Sequence, residues 1–509
     1  MQRKFAKFLV DLPRAPKEDL PPDLGKPDGF GWRDYLLMLL QVDVGIEHAL
    51  MVQYLYAAYS LGGKRVPSKK REMVRRWQQT ILSIAKEEMG HLLTVQNVIT
   101  CMGGSVYLDR ENFPWDHEFY PFSFELEPLT LESLSKYVYA EAPVDWKDDL
   151  GDKIRKVDDW PEICRRAFGA RIKGRAKAWG RADGERPHDV RSVAALFRVI
   201  LAIVKHPSRI TDAEFFAETF SQQAGWDAWA CNQGNLSGED APDPLSTGER
   251  QPHKATRPTT ADVLVVRVAT RDDVIDALEQ IAEQGEAARS WQERSHFARF
   301  HAIYREFKHH FPEGSHARPA RGLPVNPTTF KPVLRENGDT AMRCTYIDNP
   351  VARQWATLFD LRYRLLLTYL THSFRLARSV DPNKGPSKYQ AVMHQAFCEM
   401  YNLKALSEIL IRQPLKEGVL RSKNFEPAGP TFQMPYTLEL PENAVSCWLQ
   451  YKDILGACAE MRTSLGSQGD SSATPQEKDF LAAMADADRK CQAWLDAVLK
   501  AASVCEQVR

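Results

Sequence analysis

The sequence predicts an all-α protein in which a four-helix bundle with long insertions is followed by a second C-terminal helical bundle. Apolar residues recur at helical spacing in long segments, and few stretches alternate as strands do. The segment 312–340 holds five prolines and several glycines, which is typical of a boundary between domains. We therefore expect a bundle domain at 1–311, a Pro-rich linker at 312–340 and a helical domain at 341–509.

Two long helices open the predicted bundle. The first spans 32–61 and the second spans 71–102, and each is followed by a Gly-Gly pair, as glycine often closes helices. Because the connection between them is short, we expect them to lie antiparallel. The next segment, 106–128, is rich in aromatic residues and proline. It is expected to wrap the bundle as an ordered loop.

The same periodicity predicts the remaining helices. The third and fourth bundle helices are expected at 272–288 and 291–310, with shorter helices at 131–142 and 192–204. Polar or strongly charged insertions are predicted at about 144–190 and 233–260. The C-terminal domain is predicted to contain four helices, at 351–380, 387–415, 444–465 and 474–504.

The composition argues against several classes of protein. The 67 Lys and Arg residues balance the 67 Asp and Glu residues, so no global charge attracts nucleic acid or an anionic membrane. No apolar run approaches the roughly 18–20 residues needed to cross a bilayer. The nine cysteines are scattered and form no C-x-x-C pair, which favours a reducing cytoplasm over a disulfide framework.

On the first two helices, three ionisable residues fall on stripes that are otherwise apolar. Glu47 lies on the stripe of the first helix. Glu88 and His91 lie on the stripe of the second, and their spacing of three places them one turn apart on one face. The neighbouring Glu87 is one position off this stripe and is expected to point away.

The third and fourth helices supply a matching set. Glu286 falls near the apolar side of the third helix and is the favoured ligand, whereas Glu283 falls further toward solvent and is an alternative ligand. The fourth helix opens with Glu293 and His296, again three positions apart. If the third and fourth helices are instead continuous, the bundle geometry fails, and Glu141 at the end of the helix 131–142 becomes the substitute ligand.

These residues predict a dimetal centre. Buried carboxylates without partners are costly, commonly by several kcal/mol, and converging carboxylates also repel each other. Two divalent cations would neutralise four carboxylates, and two imidazoles would complete the set. Ferritin-like dimetal proteins share this ligand pattern: two helices each supply one Glu, and the other two each supply a Glu-x-x-His pair. Carboxylate and imidazole ligands favour Fe or Mn; buried salt bridges are the alternative.

Several short motifs also carry a family resemblance. They are Glu47-His48-Ala49, Glu87-Glu88-Met89-Gly90-His91-Leu92, Arg110-Glu111-Asn112-Phe113-Pro114, Glu283-Gln284-Gly285-Glu286, His296-Phe297-Ala298-Arg299-Phe300 and Ala428-Gly429-Pro430. Together they resemble the ferritin-like iminophenylpyruvate-dimer, or chromopyrrolate, synthases of the violacein and rebeccamycin pathways. The resemblance implies oxidation or oxidative coupling of amino-acid-derived imines, and it implies haem as an alternative cofactor.

The sequence therefore predicts a cytoplasmic oxidoreductase with two Fe ions, or a Mn/Fe pair. It would use O₂ or peroxide on a small amino-acid-derived substrate, with the loop 113–124 as a wall of the pocket. No nucleic acid or membrane partner is expected, whereas a homo-oligomer or a partner enzyme of the same pathway is compatible with the sequence. Two alternatives stay open: a haem enzyme on the same scaffold, and a non-catalytic metal-binding or scaffold protein.

Overall fold

The structure, a computed structural model, describes residues 24–115, 122–142, 159–168, 193–217, 223–225, 265–286, 295–331, 343–376, 387–419, 421, 424–467 and 473–507. Within these residues, twelve α-helices and one two-stranded sheet form two compact units, Met1–Arg321 and Gly322–Arg509. The predicted all-α fold class is confirmed. The division between the units falls inside the segment 312–340.

The first unit contains eight of the described helices. They are α1 (Trp32–Ser60), α2 (Arg71–Cys101), α3 (Leu131–Ala140), α4 (Trp160–Phe168), α5 (Val193–Val204), α6 (Asp212–Phe215), α7 (Arg271–Glu286) and α8 (His296–His310). A single 3-10 turn, Ser68–Lys70, precedes α2.

The two longest helices of this unit, α1 and α2, pack along each other. By length and mean hydropathy α1 resembles a membrane-spanning helix, but 72 % of its most apolar window is buried inside the protein. It is therefore a core helix. Gly62 and Gly63 follow it with φ of +98° and +102°, a conformation that residues with a Cβ rarely adopt. This explains why the helix ends where the sequence predicts.

The helices α3 and α8 pack against each other. Ser295 caps α8, since its backbone is extended and its side chain accepts from the Ala298 N–H at 3.1 Å. The described helix therefore begins at His296, five residues after the start at 291 that the sequence predicts.

The helix α7 lies beside this group and packs mainly against α5, with further contacts to α2 and α8. Of the two predicted insertions, the described part of 144–190 contains α4, and 233–260 lies outside the described residues. The chain after α8 stays attached to the first unit as far as Arg321, whose N–H donates to the Ser60 carbonyl at 2.8 Å.

The second unit is a helical bundle preceded by a short parallel strand pair. The strands are β1 (Pro327–Thr328) and β2 (Thr345–Tyr346), and the helices are α9 (Pro350–Ser373), α10 (Lys388–Leu410), α11 (Ala444–Ser467) and α12 (Pro475–Gln507). Arg362 lies at the centre of this unit and is 0 % exposed. It donates to Glu399 and Asp488 at 2.9 Å each, and so joins α9 to α10 and α12.

Candidate metal centre

Four helices of the first unit carry the residues of a buried ionisable cluster. Glu47 lies in α1, Glu88 and His91 lie in α2, Glu141 directly follows α3, and His296 begins α8. Each residue exposes at most 4 % of its surface. Because buried charges are costly without partners, their convergence requires a physical explanation.

The cluster consists of two groups that share one carboxylate. In the first group, His91 Nδ1 lies 3.0 Å from Glu88 Oε2 and 3.7 Å from Glu47 Oε2. In the second, His296 Nδ1 lies 2.9 Å from Glu88 Oε1 and 3.5 Å from Glu141 Oε2. Glu88 therefore presents one oxygen to each histidine. The ligand atoms of each group lie within 4.8 Å of one another.

Several polar atoms of the cluster lack a hydrogen-bond partner in the part of the chain that the structure describes. They are Glu47 Oε2, Glu88 Oε1 and His296 Nδ1, and the last two lie 2.9 Å apart without forming a hydrogen bond. Buried polar atoms are nearly always hydrogen-bonded in native proteins, so three such atoms at one place point to a cation as their partner. Carboxylate oxygens and imidazole nitrogens are donors that suit Fe and Mn. The residues present therefore fit two cations that share Glu88.

The pKa values of the cluster describe its charge without metal. Burial, and then the charge of Glu88, raises the pKa of Glu47. Burial lowers the pKa of His91, but hydrogen bonds to Glu47 and Glu88 outweigh this and raise it to about 10. Burial is likewise outweighed at His296, whose pKa is raised by Glu88 and Glu141. The histidines are then the cations of the cluster, and a metal ion that binds at Nδ1 displaces a proton.

The prediction that Glu87 points away from the core was wrong. Its carboxylate is 1 % exposed and accepts from His296 Nε2 at 2.9 Å and from two guanidinium nitrogens of Arg299. Burial raises the pKa of Glu87, but the bonds from His296 and Arg299 outweigh this and lower it. The error has a simple cause. From Glu87 to Ile99, α2 is buried on every side, so a position beside the apolar stripe does not reach solvent.

Asp43 is a buried carboxyl group that the sequence analysis did not single out. It is 0 % exposed, and neither oxygen has a hydrogen-bond partner among the described residues. Burial raises its pKa to about 8, with the charge of His91 opposing and that of Glu88 adding to the shift. A signal was present in the sequence, because Asp43 precedes Glu47 by four residues and such positions share a helix face.

Tyr54 holds the carboxylate that follows α3. Its hydroxyl donates to Glu141 Oε1. Its ring lies 4.9 Å from that of Tyr137 and 4.8 Å from that of Phe300, so the phenol is fixed by packing on two sides. Burial, and then the charge of Glu88, raises the pKa of Glu141. The hydrogen bond from Tyr54 thus accounts for one oxygen, and the other faces His296.

A small cavity of about 20 Å³ adjoins the cluster. It is lined by Glu47, Leu50, Glu88, His91, Ala140, Glu141, Phe197, Ile281, Ala282 and Gly285. A space of this size admits a water or a diatomic molecule. At Gly285 a Cβ would lie 3.6 Å from Glu141 Oε2, so α7 approaches the carboxylate closely. The described residues of the predicted wall, 113–115 and 122–124, do not line this cavity, and residues 116–121 lie outside the described residues.

Three further predicted ligands do not belong to either group of described residues. Glu286 is the last residue of α7, and its side chain lies outside the described residues. Glu293 also lies outside them. Glu283 is exposed and belongs to neither group. Among the described residues, Glu141, the alternative ligand of the sequence analysis, joins Glu88 at His296 Nδ1.

Comparison with known proteins assigns the chain to a protein family. A family model described as Ferritin-like matches residues 40–305, just over half of the 509 residues. The chain belongs to this family. The matched range contains both carboxylate–histidine groups. No solved structure matches the chain significantly.

Two curated proteins are similar to the chain. One is dichlorochromopyrrolate synthase from Lentzea aerocolonigenes, 23 % identical over 461 residues, which cover 84 % of this chain and 39 % of that protein. The other is 2-imino-3-(indol-3-yl)propanoate dimerase from Chromobacterium violaceum, 30 % identical over 193 residues, which cover 33 % of this chain and 18 % of that protein. The chain thus spans well under half the length of the relatives that it matches. The resemblance to the chromopyrrolate synthases is confirmed.

Proposed function

We propose that the chain is a non-haem dimetal oxidoreductase. It would use Fe or Mn with O₂ or peroxide to oxidise, or oxidatively couple, a small amino-acid-derived substrate. The observation that carries the proposal is the position of Glu88 between His91 and His296. Among the described residues, Glu47 Oε2 on the His91 side, and Glu88 Oε1 and His296 Nδ1 on the other side, make no hydrogen bond. A purely structural salt-bridge cluster would be expected to pair these atoms.

The residues of the chain would hold and shield the ions. A pair of redox-active ions supplies electrons for the activation of O₂ or peroxide when bound. Glu47, Glu88 and Glu141 bring three negative charges, which offset the positive charge of the ions. Tyr54 orients Glu141 through its hydroxyl. Burial of all these groups keeps bulk water from the reacting position.

The cavity and the relatives support different parts of the substrate assignment. A space of about 20 Å³ beside the cluster supports a small oxidant as the molecule that reaches the ions. The name of the second relative, a dimerase of an indole-bearing imino acid, supports oxidative coupling by analogy. Fold does not fix function, so support for the amino-acid-derived substrate class comes from the names of the relatives.

Metal analysis tests the dimetal proposal. Wild type is expected to contain about two Fe or Mn ions per chain, measured by mass spectrometry. Glu88→Ala should lose both, because Glu88 belongs to both groups. Glu283→Ala is the matched control, since that carboxylate is exposed. No metal in wild type, even after anaerobic reconstitution, would contradict the proposal.

The two alternatives give different signals with the same samples. A haem enzyme on this scaffold would show an intense Soret band in the absorption spectrum, which a carboxylate dimetal site lacks. A non-catalytic metal-binding or scaffold protein would bind the ions but show no substrate-dependent uptake of O₂. Oxygen uptake in the presence of amino-acid-derived imines therefore separates the enzyme from the storage or scaffold role.

A further inference from the structure

A continuous chain of hydrogen bonds joins the outer nitrogens of the two cluster histidines. His91 Nε2 lies 2.8 Å from Gln284 Oε1, and Gln284 Nε2 donates to Glu87 Oε2 at 3.0 Å. The same oxygen of Glu87 accepts from His296 Nε2 at 2.9 Å. One glutamine of α7 and one glutamate of α2 therefore connect histidines that lie on different helices.

The carboxylate of Glu87 determines which atom donates in each of these hydrogen bonds. An ionised carboxylate only accepts, so Gln284 must turn its amide nitrogen to Glu87 and its oxygen to His91. Because the amide oxygen also only accepts, His91 must carry a proton on Nε2. The same reasoning places a proton on Nε2 of His296. In both rings the other nitrogen, Nδ1, faces the shared Glu88.

Glu87 is held in its ionised form by further donors. Arg299 reaches it with two guanidinium nitrogens, one at 2.9 Å, and the Ser83 hydroxyl donates at 3.2 Å. A carboxylate that accepts several charge-assisted bonds is a strong and well-positioned acceptor. Glu87 can therefore fix both the Gln284 amide and the His296 ring.

We propose that Glu87 and Gln284 are positioning residues that couple the two metal positions. By holding the Nε2 protons, they leave Nδ1 of each histidine as the atom that a cation takes. Glu87 acts directly on His296, but it acts on His91 only through Gln284. This inference rests on the proposed dimetal centre. It predicts that loss of the Gln284 amide weakens the His91 position and spares the His296 position.

Gln284 is a favourable position for a test because it is only half-buried, whereas Glu87 is buried. Gln284→Met keeps the length of the side chain and removes both polar ends. Gln280→Met is the matched control, since Gln280 lies one turn earlier on α7 and is also half-buried. Circular dichroism of the metal-free full chains would show that both variants fold.

The measurement is an anaerobic titration of the metal-free full chains with Mn²⁺ and, separately, with Fe²⁺, counting bound and free ions. We expect wild type and Gln280→Met to bind two ions. Gln284→Met should bind one ion with wild-type affinity and the other about 10–100-fold more weakly, the usual effect of losing a residue that orients a metal ligand.

The possible failures are distinguishable. If wild type binds two ions and Gln284→Met binds both with unchanged affinity, or loses both equally, the coupling by Gln284 is contradicted while the dimetal function stands. If wild type binds neither Mn²⁺ nor Fe²⁺, the dimetal function fails, and this inference fails with it. Glu87→Gln gives a second check, because it should weaken both positions.

Discussion

Single carboxylates determine what the candidate centre can hold. Glu88 has a histidine for each oxygen, and Glu141 has Tyr54 for one of its oxygens. Asp43 has no such partner among the described residues, although it is fully buried. A buried carboxyl group without a partner is destabilising unless it keeps its proton. Its protonation should therefore be visible in the stability of the metal-free protein.

Asp43→Asn should make the metal-free chain more stable than wild type at neutral and higher pH. The pKa of Asp43 is raised from 3.8 to about 8, so the folded state keeps a proton that the unfolded state loses. The contribution of this group is complete below about pH 4 and declines as pH rises to about 8. Because asparagine cannot ionise, the stability of the Asp43→Asn variant should not show this decline. Urea unfolding of both proteins across this range measures the difference.

The control for this prediction is Asp34→Asn, on the same helix but with 68 % of its side chain exposed. It should leave the pH dependence close to that of wild type. A difference between wild type and Asp43→Asn that stays constant from about pH 4 to about pH 8 would show that Asp43 does not keep its proton in the folded protein.

The sequence predicted the ionisable residues that lie on apolar helix faces. It missed the residues whose roles depend on contacts with other helices. Glu47, Glu88 and His91 stand on apolar stripes, and that conflict is readable from spacing alone. Gln284 and Glu87 act through partners on other helices, so their roles depend on distances that no helical period encodes.

At the scale of helices, the ends were harder to predict from the sequence than the central turns. The long bundle helices follow from apolar periodicity, and the predicted limits of α1 and α2 differ from the observed ones by one residue at the C-terminal end. The start of α8 was missed because Ser295, a favourable cap, was taken as part of the helix. This cap places His296 in the first turn, beside the cluster.

Ser295→Ala should cost about 1 kcal/mol of stability, the usual effect of losing a serine cap. It should also weaken metal binding, because His296 is the first residue after the cap. Ser387→Ala is the matched control, since Ser387 caps α10 in the second unit and accepts from the Gln390 N–H. It should cost similar stability without changing metal affinity. Equal effects of both variants on metal binding would contradict a local role for Ser295.

The contact between α9 and α11 should give the second unit an acid-sensitive step. His372 Nδ1 lies 2.7 Å from the Tyr451 hydroxyl, and burial, with the charges of Arg375 and Lys388, lowers the His372 pKa from 6.5 to about 4. As pH falls, His372 is protonated in the unfolded chain before it is protonated in the folded one. The stability that neutral His372 contributes is therefore present above about pH 6.5 and is lost toward pH 4. His372→Gln should reduce this loss in urea unfolding.

His309→Gln serves as the comparison for that variant, because His309 is exposed at the end of α8. Its stability should fall with acid as steeply as that of wild type. If His372→Gln falls equally steeply, the acid sensitivity of this unit has another origin.

At the scale of the whole chain, the two units use buried charge differently. In the second unit, Arg362 pairs with Glu399 and Asp488 through direct hydrogen bonds. In the first, Glu47 Oε2, Glu88 Oε1 and His296 Nδ1 make no hydrogen bond within the described part of the chain. The sequence predicted two helical parts, but it could not distinguish paired from unpaired charge, because pairing depends on contacts between distant helices.

Arg362→Met should destabilise the second unit strongly and leave the metal centre intact. Removing the guanidinium leaves Glu399 and Asp488 buried without that partner, which typically costs about 3–5 kcal/mol. Arg412→Met, at a position with 71 % of its side chain exposed, should cost little. Urea unfolding of the full chain gives the stability, and Mn²⁺ titration gives the number of ions. All cluster residues belong to the first unit, so two ions should still bind. Loss of metal binding in Arg362→Met alone would show that the centre needs an intact second unit.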